Sequence, residues 1–146
     1  MGYALFANRK LVLDSQLNSL QLQQTQRSNT QYSLATKNLS MQQQLSSLQT
    51  AQSQELSGLY NQLASADSNA RPGIQAQIEQ KQLEFERELD KINRNIYEIG
   101  IKENAIEMEV KHLDTQVTAV EKQLQAVEEA EGAGIDRATP KFKGVG

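Results

Sequence analysis

The residues best placed to do chemistry in this 146-residue chain lie in the run Glu109-Val110-Lys111-His112. His112 is the single histidine. A Glu-x-x-His pair on one helix is the spacing used by carboxylate-bridged di-iron bundles, where two such motifs and two further glutamates point inward. A pair of these chains would supply two copies. The heptad pattern described below gives the interior to Val110 and Leu113, however, and leaves Glu109 and His112 on flanking positions. Exposed polar side chains are the expected state. The run from Glu84 to Lys91, with Glu86, Glu88 and Asp90, is acidic enough to raise a cation site. Helical geometry spreads those charges around the cylinder, so a solvated face is expected instead.

Other chemistry has little to work with. The chain has no cysteine, which removes disulfides, thiolate nucleophiles and cysteine metal sites. It has no glycine-rich phosphate loop and no serine–histidine–aspartate set. Net charge is −3, tryptophan is absent and aromatics are 5%, so neither a basic stripe nor a stacking platform for nucleic acid is expected. No stretch reaches the ~20 apolar residues that span a bilayer. Arg9 and Lys10 follow the short run Tyr3 to Ala7, whereas a secretory signal has its positive charge before the apolar segment. The expectation is a non-enzymatic protein with no cofactor, no metal, no nucleic-acid partner and no membrane-spanning segment.

The elements that place these residues are read from periodicity. Steps of four and three residues give Ile78, Gln82, Phe85, Leu89, Ile92, Ile96, Ile99, Glu103, Ile106, Val110, Leu113, Val117, Val120, Leu124 and Val127. Thirteen of those fifteen are apolar, with no slip in the repeat. A 3.5-residue period held this long demands a supercoiled helix, because a straight one carries the stripe away from its partner. Acid-before-base pairs four apart support the exposed face: Asp90 with Arg94, Glu98 with Lys102, Glu107 with Lys111. The first half carries a weaker stripe: Leu13, Leu17, Leu20, Gln24, Arg27, Gln31, Leu34, Asn38, Met41, Leu45, Leu48 and Gln52. One extra residue then precedes Leu56, Leu59 and Leu63, a stutter that locally unwinds a coiled coil.

Between the halves, Ala64 to Gly73 combines small polar residues with Pro72, a stop followed by a restart. A short connection between long helices makes them antiparallel neighbours. The sequence therefore predicts an all-α protein, a long antiparallel helical hairpin with short non-helical termini, packed in a larger helical assembly. Its parts are an apolar N-terminal segment (1–10), a first long helix (11–64), a turn (65–73), a second long helix (74–131) and a tail (132–146).

Folding about Asn69 sets residue i opposite residue 139 − i, give or take a turn. Gln24, Arg27 and Gln31 then face Ile106, Val110 and Leu113, which receive amides and a guanidinium from their own partner helix. Leaving such side chains half-covered forfeits a good part of the ~1.5–3 kcal/mol that burying each one supplies. A slid register would repair the mismatch internally; otherwise other subunits must cover it. In this register Glu103, the one acid in the second seam, lies near Lys37.

The surfaces expected to carry function are thus contacts. The seam offers Ile92, Ile96, Ile99, Ile106, Val110, Leu113, Val117, Val120 and Leu124. An outer face of the second helix offers Ile101, Ala105 and Met108. Apolar clusters at the termini, Tyr3, Leu5 and Phe6 at one and Ile135, Phe142 and Val145 at the other, meet at the same end of a hairpin.

The two arms also differ in chemistry. Between residues 28 and 66 the only charges are Lys37 and Glu55, while the second arm is densely charged. A cysteine-free chain with a Gln-, Ser-, Asn- and Leu-rich first arm, the short Ser65 to Gly73 connection and an apolar second seam resembles the helical-hairpin filament subunits of bacterial type III secretion and flagellar export systems. That resemblance covers Leu11 to Val127 as architecture, with no diagnostic motif. It implies a structural subunit that assembles with copies of itself into an extracellular or cell-surface filament. It further implies export without a cleaved signal, with an export chaperone as an additional partner. The competing classes are a cytoplasmic coiled-coil adaptor, chaperone or stalk of a secretion machine, and a phage structural protein.

Overall fold

The computed structural model describes the backbone of residues 2–138 and the side chains of residues 4–132. It consists of two helices, α1 (Gly2–Ser65) and α2 (Arg71–Ala138), packed against each other as an antiparallel hairpin. No strand occurs among the described residues.

Serine, threonine and asparagine compete with the helical ladder, so the polar α1 needs local help. Thr25, Thr30, Thr36 and Thr50 each turn Oγ1 back onto the carbonyl four residues earlier, at 2.9–3.1 Å. Their hydroxyls are satisfied inside the helix and do not break it. The connection is residues 66–70, shorter than the expected 65–73. Asp67 organises it: its Oδ1 accepts from the Ala70 N–H at 2.8 Å and its carbonyl accepts from Arg71 N–H at 3.2 Å. Pro72 falls in the first turn of α2, where its missing N–H would have had no helical partner.

Both outer helix ends extend beyond the expected boundaries. Residues 2–10 continue α1 and do not form a separate segment, because Phe6 and Lys10 carry the seam spacing back from Leu13. At the other end α2 runs through Gly132 and Gly134 to Ala138. Each glycine costs roughly 1 kcal/mol of helix propensity without forbidding the conformation, and no described glycine adopts a positive φ. Residues 139–146 lie outside the described residues.

The contacts divide the hairpin into two units, one of residues 1–31 with 105–146 and the other Tyr32–Asn104. The first holds a buried apolar cluster: Leu13, Val120, Leu124 and Val127, with Phe6, Leu17 and Leu20 packed against it. The second buries Leu34, Ile78, Phe85 and Ile99 along its seam. A two-helix layer has only one inward stripe per helix. No described side chain is fully enclosed.

Within each unit the pairing follows the 139 − i rule. Lys10–Glu128, Gln24–Asp114 and Arg27–Glu109 in the first unit all fall within three residues of it. So do Asn38–Glu103, Glu55–Lys81 and Tyr60–Gln82 in the second. The register is not slid.

Candidate functional site

The seam is the one continuous feature that the heptads specify and the hairpin builds. Each α2 seam position from Ile78 to Val127 is buried or half-buried. Ile99, Leu113, Val117, Val120 and Leu124 are buried, whereas Ile92, Ile96, Ile106 and Val110 are only half-buried. The half-buried group is where α1 contributes polar residues or the single-layer packing leaves a flank open. Leu113 departs from that expectation: although opposite Gln24 and Arg27, it is 6% exposed. Arg27 and Gln24 reach across to Glu109 and Asp114, on either side of Leu113 in α2, and their aliphatic stems can shield it.

Polar contacts fill the weak middle of the α1 stripe. Gln24 Nε2 donates to Asp114 Oδ1 at 2.7 Å, and Arg27 Nε lies 2.6 Å from Glu109 Oε2. Glu103 does not pair with Lys37. It accepts from Asn38 Nδ2 at 3.4 Å, because Asn38 sits on the seam and Lys37, one residue earlier, is turned about 100° towards solvent.

Glu109 is therefore engaged by Arg27, and His112 is exposed. No group of three or more metal-ligating side chains gathers among the described residues. The Arg27–Glu109 pair was not legible as a pair, since Arg27 reads as a seam defect and Glu109 as a flanking acid. With side chains 43% and 49% exposed, it stabilises by less than about 1 kcal/mol. Glu109→Gln should lower the melting temperature only slightly at low salt and not at all near 0.5 M salt, by circular dichroism. A large loss at both salts would show that the pair is worth more than its exposure allows.

On the outer faces, Ile101 is 52% and Met108 72% exposed, and Ala105 is exposed as well. Leu11, Val12 and Leu22 are comparably exposed, as are Tyr32 at 77%, Leu39 at 60% and Tyr97 at 71%; the last three share a place in the repeat. Their signal was present, since all three fall one residue after a seam position. Of the terminal residues, Phe6 packs on the core while Leu5 is 67% exposed. The side chains of Tyr3, Ile135, Phe142 and Val145 lie outside the described residues. Of the helix pairs expected four residues apart, Asp90–Arg94 and Glu107–Lys111 form at 2.8 and 3.3 Å. Glu98–Lys102 is not among the ion pairs of the described residues.

Fold and surface define a two-helix antiparallel coiled-coil hairpin with a half-covered seam and exposed apolar side chains on its outer faces. No helix among the described residues is long and apolar enough to cross a membrane. No protein-family model, curated protein or solved structure matches the chain.

Proposed function

We propose that this chain is a structural, non-enzymatic subunit that works by associating with further copies of itself. One observation supports the reading above others: Ile92, Ile96, Ile106 and Val110 are only partly buried in the isolated hairpin. A seam of this apolar content gains roughly 25 cal/mol for each Å² that neighbouring helices remove from water. The more specific form, a bacterial cell-surface or extracellular filament with an export chaperone as partner, is supported by the uncharged, amide-rich first arm and its resemblance to exported filament subunits. A second reading is a cytoplasmic coiled-coil adaptor or stalk. It is supported by three cross-helix ion pairs, Lys10–Glu128, Arg27–Glu109 and Glu55–Lys81, through which one hairpin holds its own alignment.

Negative-stain electron microscopy with sedimentation velocity on the full chain separates these readings. Fibres or a concentration-dependent series of oligomers are expected. A single monomeric species across the accessible concentration range would remove the assembly reading and favour the adaptor. Removing residues 133–146 should leave helicity nearly unchanged and reduce polymer formation. Polymer formation equal to that of the full chain would make that end a passenger.

A further inference from the structure

Gly100 is not required by any close contact inside the hairpin. It stands in the middle of α2, where glycine weakens a helix, and a Cβ built there meets nothing within 4 Å. Its φ is not positive, so no turn requires it. Gly58, Gly73 and Gly132 are equally open, but Gly100 is half-buried in mid-helix where Gly58 and Gly73 are exposed, so the space beside it can take a side chain from outside the chain.

Its surroundings indicate what. With Ile96 at heptad position a and Ile99 at d, Gly100 falls at e and Tyr97 and Asn104 at b. With Leu34 at d and Asn38 at a, Ala35 falls at e and Tyr32 and Leu39 at b. In an antiparallel pair the e sides of both helices lie on one flank and the g sides on the other. All six residues thus share one flank of the Tyr32–Asn104 unit. Ala35 and Leu39 line a shallow groove there, with Asn38 and Glu103 at its base. Gln42 completes its lining. Along the same flank the heptad positions alternate small residues, Ala35 and Gly100, with large ones, Tyr32, Leu39 and Tyr97. None of the six carries charge. At this level the other flank carries Lys37, Glu98 and Lys102, whereas the groove's one acid, Glu103, is held by Asn38, and Glu86 and Asp90 fall on the first flank only nearer the turn.

We propose that this neutral flank is where a second copy of the chain packs, about a two-fold axis running along the hairpin. The proposal rests on the assembly reading and specifies its surface. Leu39 and Gly100 lie at the same level of the hairpin under the 139 − i register. The two-fold therefore sets each Leu39 over the partner's Gly100, a knob over a notch, twice. It also lays the charged α2 of each copy on the amide-rich α1 of the other, so that no like charges are opposed. That explains why one arm is stripped of charge and the other is not. The exposed parts of Tyr32, Leu39 and Tyr97 alone offer about 450 Å², more than half of the roughly 800 Å² per partner in a stable interface.

Sedimentation velocity on the full chain tests this with Gly100→Gln, Leu39→Ser and, on the opposite flank, Ser33→Gln. The first two should raise the dimer dissociation constant by about tenfold or more, and the third should leave it unchanged. Circular dichroism should show all three as helical as the parent, since the space at Gly100 is open. The chain has no cysteine of its own. Mixing Leu39→Cys chains with Gly100→Cys chains under mild oxidation should therefore give mainly the mixed disulfide dimer. A parent chain that assembles while all variants keep its constant would overturn this surface and leave assembly standing. Leu39→Cys chains that link mainly to one another would overturn the two-fold arrangement. A monomeric parent would overturn both.

Discussion

Leu124→Ala is expected to lower the stability of the hairpin by about 2–3 kcal/mol, a fall in melting temperature of roughly 6–12 °C. Leu124 is 8% exposed and shares a buried cluster with Leu13, Val120 and Val127. Deleting its branched carbons removes their transfer energy and leaves a gap that a two-helix layer closes only in part. The low end of the usual leucine-to-alanine range applies because the seam is one layer deep. Leu22→Ala provides the comparison, since Leu22 is 60% exposed and its truncation should cost under about 0.5 kcal/mol. Equal melting shifts for the two variants would show that the cluster does not hold the hairpin.

Ile106→Asn and Val110→Asn should reduce association more than Gln24→Asn or Gln31→Asn. The apolar pair stays half-buried in a single hairpin and is the part of the seam that further copies would cover. An amide introduced there must be desolvated when the assembly forms, at about 1–3 kcal/mol if it finds no partner. That corresponds to a roughly 5- to 150-fold weaker association. At Gln31 an amide is already present, so shortening it by one methylene changes little, while Gln24→Asn gives up the cross-helix contact with Asp114 without adding a new amide to the seam. Light scattering reads association, and circular dichroism on the same samples separates it from loss of helix. Equal scattering by all four variants would remove the intermolecular role of this part of the seam.

The helices and their alignment were legible in the sequence because both rest on repeats. The unbroken 3.5-residue spacing from Ile78 to Val127 allows one inward stripe, and two arms of similar length about Asn69 set the alignment to within a turn while leaving a slid register open. What the pattern could not supply was the identity of individual partners. An alignment uncertain by one residue still sets the right turns side by side, yet it confuses Lys37 with Asn38, whose side chains leave the helix about 100° apart. Helix ends were missed for a related reason. Gly132 and Gly134 weaken a helix without ending it, and the step from Phe6 to Lys10 to Leu13 extends the stripe through a segment that composition alone sets apart. The outer surface was read only in part. Ile101 and Met108 stood out, while Tyr32, Leu39 and Tyr97 did not, because they are divided between two helices and only the hairpin places them on one flank.

The reversed pairing of the helices also orders the way the chain can fold. Tyr60 and Gln82 are 22 residues apart in sequence, Asn38 and Glu103 are 65, and Gln24 and Asp114 are 90. Loop-closure entropy grows with that separation, but only by about 0.6 kcal/mol per doubling once the first contact is made. Closure therefore begins at the Asp67 turn and runs outward like a zipper. It must cross the amide-rich middle before it reaches Leu13, Val120, Leu124 and Val127, which reward it most. The rate-limiting step should lie in that crossing, with the strongest contacts formed after it. Stopped-flow kinetics would then show Leu124→Ala accelerating unfolding and leaving the folding rate nearly unchanged. A folding rate slowed as much as the stability falls would place the nucleus at the termini instead.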